Sequence, residues 1–421
     1  MNYKEALLNG SLDAELAALY GADALSYQRT RYAKLAETHT AAFGEQELFF
    51  FTAPGRTELA GNHTDHQHGR VLAGAVTLDA IAAVSIADEP VITLHSEGYA
   101  PITVSLDDLS VHADEKNTTA SLVRGVAAAF AERGASCKGL NIAMTSDVFS
   151  GSGLSSSACF EVLIGCILND LFFESKLTKP EIAIIGQFAE NVYFGKPCGL
   201  MDQTACAVGG CVTIDFIDPK APVIEPIAFA PKDTGYALVI IDSGADHADL
   251  TEDFASIPTE MRAAASVFGQ EILRGVTMED LLKNAQAVRK AAGDRAFIRA
   301  WHFIQENDRV VDMVNAMKAG KMDDFLSGVI ASGRSSALLL QNIHSDRMAQ
   351  EQSVTIAITA AEAALNGKGA VRVHGGGFAG TIQAYVPFEM LDSFVAFMEQ
   401  TLFAGCCHIL GIRKDGCRKV F

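Results

Sequence analysis

Apolar positions alternate with polar ones in some stretches of this chain and recur at helical spacing in others, and the two periods divide it into elements. The first forty or so residues read as helical. The run ELFFFTAPGR predicts a buried strand that ends in a turn at Pro54-Gly55. AIAAVSIAD and VITLHSE flank the turn-forming Asp88-Glu89-Pro90 and predict an antiparallel hairpin. A helix is expected over 118–133, stopped by Gly134. Leu140, Ile142 and Met144 then alternate with Asn141, Ala143 and Thr145 as in a half-buried strand. In FSGSGLSSSACFEVLIGCILNDLFF, glycine and serine give way to apolar residues, which reads as a glycine-rich turn and a buried helix opening in the serines. Thr178 and Glu181 form a capping box around Pro180, and Ile182, Ile185, Ala189 and Val192 make the core stripe of a helix that ends near Gly195. After a connector over 218–231, the pattern predicts a strand at YALVIIDS, a strand-turn-strand at AVRVHGGGFAGTIQAYV, a helix over 388–403 and a terminal hairpin at Asp415-Gly416.

Strands and helices mixed without strict βαβ alternation predict an α+β fold. At 421 residues the chain is long enough for two domains with a cleft between them, divided here as 1–230 and 231–421. A formal net charge of -18 argues against a nucleic-acid partner or an anionic membrane, both of which need a positive surface field. A bound nucleotide would need local cations, backbone N–H groups or Mg2+. Acidic residues interrupt the N-terminus before any apolar signal core, and no segment reaches the ~18 apolar residues of a membrane span, so a soluble cytoplasmic protein is expected. The nine cysteines lack paired metal spacing and read as reduced thiols. Nothing in the pattern sets an oligomeric state.

Three segments carry candidate chemistry. Gly151-Ser152-Gly153-Leu154-Ser155-Ser156-Ser157 suits phosphate, because glycines let the backbone approach an anion and a helix start offers unpaired N–H groups. It lacks the Gly-Lys-Ser/Thr ending of a Walker loop, and a flexible turn with serine caps is the plainer alternative. APGRTELAGNHTDHQHGRVL crowds Arg56, Glu58, Asn62, His63, Asp65, His66 and His68 between glycines, a density of polar groups that is costly beside apolar strands unless it binds something. Alone, HTDHQH could also be a transition-metal cluster, although a binding site is the favoured reading. In AENVYFGKPCGLMDQTACAVGG, Glu190 stands late on an apolar helix and Asp202 in a loop before a small-residue run.

Together these segments resemble the GHMP kinases and, within them, the galactokinases. APGRTELAGNHTDHQHGRVL is similar to the sugar signature, SGSGLSSSA to the phosphate motif, and VRVHGGGFAGTIQA to the third, glycine-rich motif, in the family order. The segment from Glu190 to Asp202 matches AE...G.PCG.MDQ. The resemblance implies an N-terminal domain like ribosomal protein S5 domain 2, a ferredoxin-like C-terminal domain, and ATP and a sugar in the cleft. It implies that Asp202 orients or deprotonates the anomeric hydroxyl and Arg56 stabilises developing charge. It further implies that Gly151 to Ser157 wrap the phosphates, that Ser157 and Glu190 lie near Mg2+, and that Glu58, Asn62, His63, Asp65, Gly199 and Phe254 line the sugar.

The chain departs from that pattern at the sugar. The family reads G-E-H-T-D-Y where this chain has Gly61-Asn62-His63-Thr64-Asp65-His66, and Glu58 stands where the family has Asn, so the two residues look exchanged. The family's sugar-contacting tyrosine falls on Phe254, which has no hydroxyl. Loss of an acid at the C6 end makes galacturonate an alternative to galactose, since Glu would repel a uronate and Asn would not. A non-catalytic sugar sensor is a further alternative, disfavoured by the intact Ser155-Ser156-Ser157 and Asp202.

Overall fold

The structure, a computed structural model, describes residues 3–148, 153–245 and 250–421. Among these, eight strands build one sheet and four build another. The first sheet contains β1 (Phe49–Ala60), β2 (Arg70–Ala87), β3 (Val91–Ser96), β4 (Ile102–Ser105), β5 (Gly139–Ser146), β6 (Cys211–Asp215) and β7 (Val223–Ile227). The second is formed by β8 (Tyr236–Asp242), β9 (Ala370–Val373), β10 (Thr381–Pro387) and β11 (Cys407–Leu410), and β12 (Arg418–Lys419) returns to the first. The arrangement is the expected α+β.

β1 is buried along nearly its whole length because both of its faces are covered. Alternate residues go to opposite sides. Phe50, Ile81, Ala83 and Ala143 pack against Leu16, Tyr32 and Leu35 of the N-terminal helices. Phe51, Ala82, Val84 and Ile142 face the helices Thr119–Glu132, Ser156–Phe172 and Lys179–Phe188 through Val126, Leu163 and Ile182. In the second sheet Val239, Val373 and Ala384 pack on Ala357 and Phe394 of the helices Ser353–Leu365 and Leu391–Thr401.

Three expected local features form differently. Pro54-Gly55 makes no turn: β1 runs on to Ala60, and the register with β2 slips between Pro54 and Arg56. A bulge absorbs the proline, and Gly55 lets another loop approach, since a Cβ there would lie 2.9 Å from the Leu154 carbonyl. β2 and β3 do not pair. β5 lies between them, antiparallel to β2 and parallel to β3, because the long β2 already has β1 on its other edge. Nor is there a hairpin at Asp415-Gly416: β11 pairs with β8 in the second sheet and β12 with β1 in the first. Among the described residues no helix is long and apolar enough to cross a membrane.

Candidate active site

Arg56 leaves β1 just past the bulge and places its guanidinium on Asp202 as a two-toothed ion pair, Nε to Oδ1 at 2.7 Å and Nη2 to Oδ2 at 2.8 Å. Asp202 sits in the first turn of the helix Met201–Val208, where the helix dipole favours a negative charge. Burial works against ionisation of this carboxyl. The adjacent Arg56 charge, hydrogen bonds from Arg56 and Ser155, and the Lys196 charge outweigh it and hold the carboxyl below the usual aspartate value. The arginine is buried, whereas the aspartate side chain remains 32% exposed, so the carboxylate faces the open side of the site.

The phosphate motif is fastened to the same residues. Arg56 N–H donates to the Leu154 carbonyl at 3.0 Å, its Nη1 donates to the Gly153 carbonyl, and the Ser155 hydroxyl donates to Asp202 Oδ2. Ser155 adopts a left-handed conformation (φ 59°), strained for a residue with a Cβ, at the position just before the helix Ser156–Phe172, with its hydroxyl turned to Asp202 rather than to the helix N–H groups. The Leu154 side chain is fully buried beneath the loop, leaving only its backbone to the site. Gly151 and Ser152 lie outside the described residues. Gly153 abuts the third motif, for a Cβ on it would lie 2.7 Å from Thr381 Oγ1 and 2.9 Å from His374 Nδ1. His374 Nε2 in turn meets the Thr57 hydroxyl at 3.0 Å, so all three motifs touch at this imidazole.

Glu190 opens a π-helical turn, Ala189–Phe194, the wide geometry that often marks functional segments. Its buried carboxylate accepts from the Ser157 hydroxyl at 3.1 Å and from Gln203 Nε2 at 2.9 Å. Gln203 Nε2 also lies 3.2 Å from Glu161, which is fully buried; burial and the neighbouring Glu190 charge push the Glu161 carboxyl well above its usual range. Ser157 and Glu190 offer oxygen ligands side by side, which fits Mg2+, an ion commonly held by one or two carboxylates together with substrate phosphates. Among the described residues no three His, Cys, Asp or Glu side chains converge on a metal position. Within HTDHQH the rings of His63 and His66 stack 6.0 Å apart.

The sugar-signature loop is held chiefly from the second half of the chain. Asn62 is completely buried and used at both ends: its amide hydrogens go to the Gly375 carbonyl (2.6 Å) and Glu58 (3.1 Å), and its oxygen accepts from Asn342 (2.8 Å) and Ser336 (3.1 Å). Glu58 forms a buried ion pair with Arg372. His302 Nε2 donates to the Asn62 carbonyl at 3.0 Å and Glu306 accepts the Gly61 N–H at 3.1 Å, both from the helix Asp294–Lys318. His63, also left-handed (φ 59°), donates from Nε2 to the Gly376 carbonyl at 2.9 Å, which leaves Nδ1 as an acceptor. Phe254 lies against the other side of Gly376, where a Cβ would come within 2.5 Å of its ring. Asp65 packs on Gly199, and its Oδ1 accepts the His66 N–H at 3.0 Å.

The geometry thus brings Arg56, Asp202, Gly153, Ser155, Ser157 and Glu190 into one cluster, and His63, Asp65, Gly199 and Phe254 into a neighbouring one. Glu58 and Asn62 lie in the network behind the second. Sequence reasoning missed Asn342, Ser336, His302, Glu306 and Gln203. Gln203 stood in view as the last residue of the MDQ motif, as Arg372 and His374 did inside the third; the other four carry no local signal.

Known proteins resemble this chain in sequence and in fold. Residues 37–86 match the galactokinase galactose-binding signature and residues 121–210 the GHMP kinases N terminal domain. The galactokinase of Actinobacillus pleuropneumoniae is 35% identical over 355 residues, covering 81% of this chain and 85% of its own. That of Glaesserella parasuis is 32% identical, covering 85% and 89%. The galactokinase of Lactococcus lactis, solved with galactose, superposes with a TM-score of 0.79 at 24% identity, over 92% of this chain and 99% of its own. Mevalonate kinase of L. major shares the fold at a TM-score of 0.58 and 15% identity, over 87% of this chain and 96% of its own.

Proposed function

The chain belongs to the galactokinases of the GHMP kinase family, and on that premise we propose that it transfers the γ-phosphoryl group of ATP to the anomeric hydroxyl of galactose, giving galactose 1-phosphate and ADP. The observation that carries this reading is the Arg56–Asp202 ion pair, bonded on one side to the backbone of the phosphate motif and exposed on the other. ATP and sugar would occupy the cleft between the halves 1–230 and 231–421.

Phosphoryl transfer asks for an aligned nucleophile and dispersed charge. Asp202, held ionised by Arg56, accepts the proton of the sugar's anomeric O–H as the new O–P bond forms and the bond to ADP breaks. The Arg56 guanidinium would offset charge developing on the γ-phosphoryl oxygens. The start of the helix Ser156–Phe172 offers N–H groups to the phosphates. Ser157 and Glu190 would hold Mg2+, which when bound neutralises phosphate charge. On the sugar, His63 Nδ1 and Asp65 accept hydroxyl protons, and Gly199 and Phe254 give shape.

Galactose rather than galacturonate is favoured by the exchange of Glu58 and Asn62. The family's carboxylate has not vanished; it sits on Arg372, so the exchange leaves that arginine already paired and supplies no cation for a uronate. The site's demand for ATP, together with nine free thiols, supports action in the cytoplasm, and the net charge of -18 supports small molecules rather than nucleic acid as partners. ADP release from MgATP with galactose and galacturonate side by side tests the assignment. Turnover with galactose is expected; preference for the uronate overturns the choice of sugar, and turnover with neither overturns the kinase.

A further inference from the structure

The loop between the π-helical turn and the catalytic helix presents a lysine, Lys196, that so far enters only through its charge near Asp202. The chain leaves the turn at Gly195 (φ 86°), and the N–H groups of Gly195 and Lys196 both donate to the Glu190 carbonyl, at 3.0 and 3.1 Å. Further on, Cys198 N–H donates to Asn191 at 2.7 Å, and Gln187 donates to the Cys198 carbonyl at 3.2 Å. The backbone of Lys196 is therefore fixed beside Glu190, while its side chain is 62% exposed.

Its ammonium lies 3.5 Å from Glu190 Oε1, the same oxygen that accepts the Ser157 hydroxyl. A mobile cation thus stands at the start of the helix Ser156–Phe172, the end of a helix that attracts anions. The buried arginines of the site are already committed, Arg56 to Asp202 and Gly153 and Arg372 to Glu58. Among the described residues the Lys196 ammonium makes one long contact, with Glu190, and its four-carbon stem lets the head follow a ligand. In a chain of net charge -18, a local cation is what a polyphosphate needs to enter.

We propose that Lys196 binds the terminal phosphates of the nucleotide, exchanging its contact with Glu190 for a phosphate oxygen. The inference rests on the kinase reading, and binding separates it from catalysis. Calorimetry would compare wild type, Lys196→Met and Lys196→Arg against a non-hydrolysable MgATP analogue and against adenosine, which has no phosphate. Lys196→Met should weaken the triphosphate about tenfold and leave adenosine and the galactose KM unchanged, with Lys196→Arg recovering most of the loss. Unchanged triphosphate affinity overturns the proposal, and so does a parallel loss for adenosine, which would mean a displaced loop. A wild type that binds the analogue but phosphorylates no sugar would tell against the kinase reading, while the binding comparison would still decide the role of Lys196.

Discussion

The carboxylate of Asp65 occupies the space that a side chain on Gly199 would fill. The clash of an added Cβ would be with the carboxyl group itself, so the glycine sets where this acid stands. Gly199→Ala should displace Asp65 and raise the galactose KM about tenfold or more, leaving the nucleotide KM close to wild type. Equal effects on both substrates would mean that the loop as a whole had moved.

Asp202 is expected to carry the proton transfer. Asp202→Asn should lower kcat about a thousandfold while MgATP still binds and the melting temperature changes little. Arg56→Lys keeps a charge but not the two-toothed pair, and should cost kcat more than it costs galactose affinity. An Arg56 effect confined to KM would remove that residue from the transition state.

Glu58 and Asn62 are coupled through Arg372 and Gly375. Restoring the family's acid alone, by Asn62→Glu, would set a second carboxylate against Glu58 and face an acceptor to the Gly375 carbonyl. A loss of about 3 kcal/mol or more in urea unfolding is expected. The double exchange, Glu58→Asn with Asn62→Glu, should recover a large part of it; strict additivity would show that the residues do not act as a pair.

Two buried groups set the pH response. Burial, the neighbouring His66 and nearby arginine charge drive the His63 imidazole down to about 3, so it is neutral and the galactose KM should be flat from about pH 5 to about pH 7. A limb near the usual histidine value would contradict this. Glu306 is buried, which opposes its charge, but Arg309, His302, Arg372 and the Ser332 hydroxyl outweigh burial and lower it from 4.5 to about 2. Its stabilising share is complete above the unfolded value and is lost as pH falls from there through the folded value. Between neutral pH and about pH 3, wild type should lose about 2 kcal/mol more than Glu306→Gln, as measured by urea unfolding at both pH values.

Elements with strong local periods were legible before folding was considered. The capping box of Thr178 and Glu181, the helix opening in the serines and the alternation at Leu140, Ile142 and Met144 appear where the pattern puts them. They depend on neighbours a few residues apart. The pairing of strands was not legible, because the choice of β5 over β3 as the neighbour of β2 is made by competition for sheet edges.

The same divide runs through the site. By itself the sequence determined which residue types are available and, for the serines, their setting at a helix start. These are short-range facts of backbone and composition. That Arg56 lies within β1 and Asp202 in a helix's first turn rather than a loop came from the fold. Only the tertiary structure decided that Arg56 meets Asp202, 146 residues away, and that Asn342 and Ser336 saturate the oxygen of Asn62. Such contacts form because a buried polar group must find a partner wherever the fold provides one, and that requirement leaves no periodic trace along the chain.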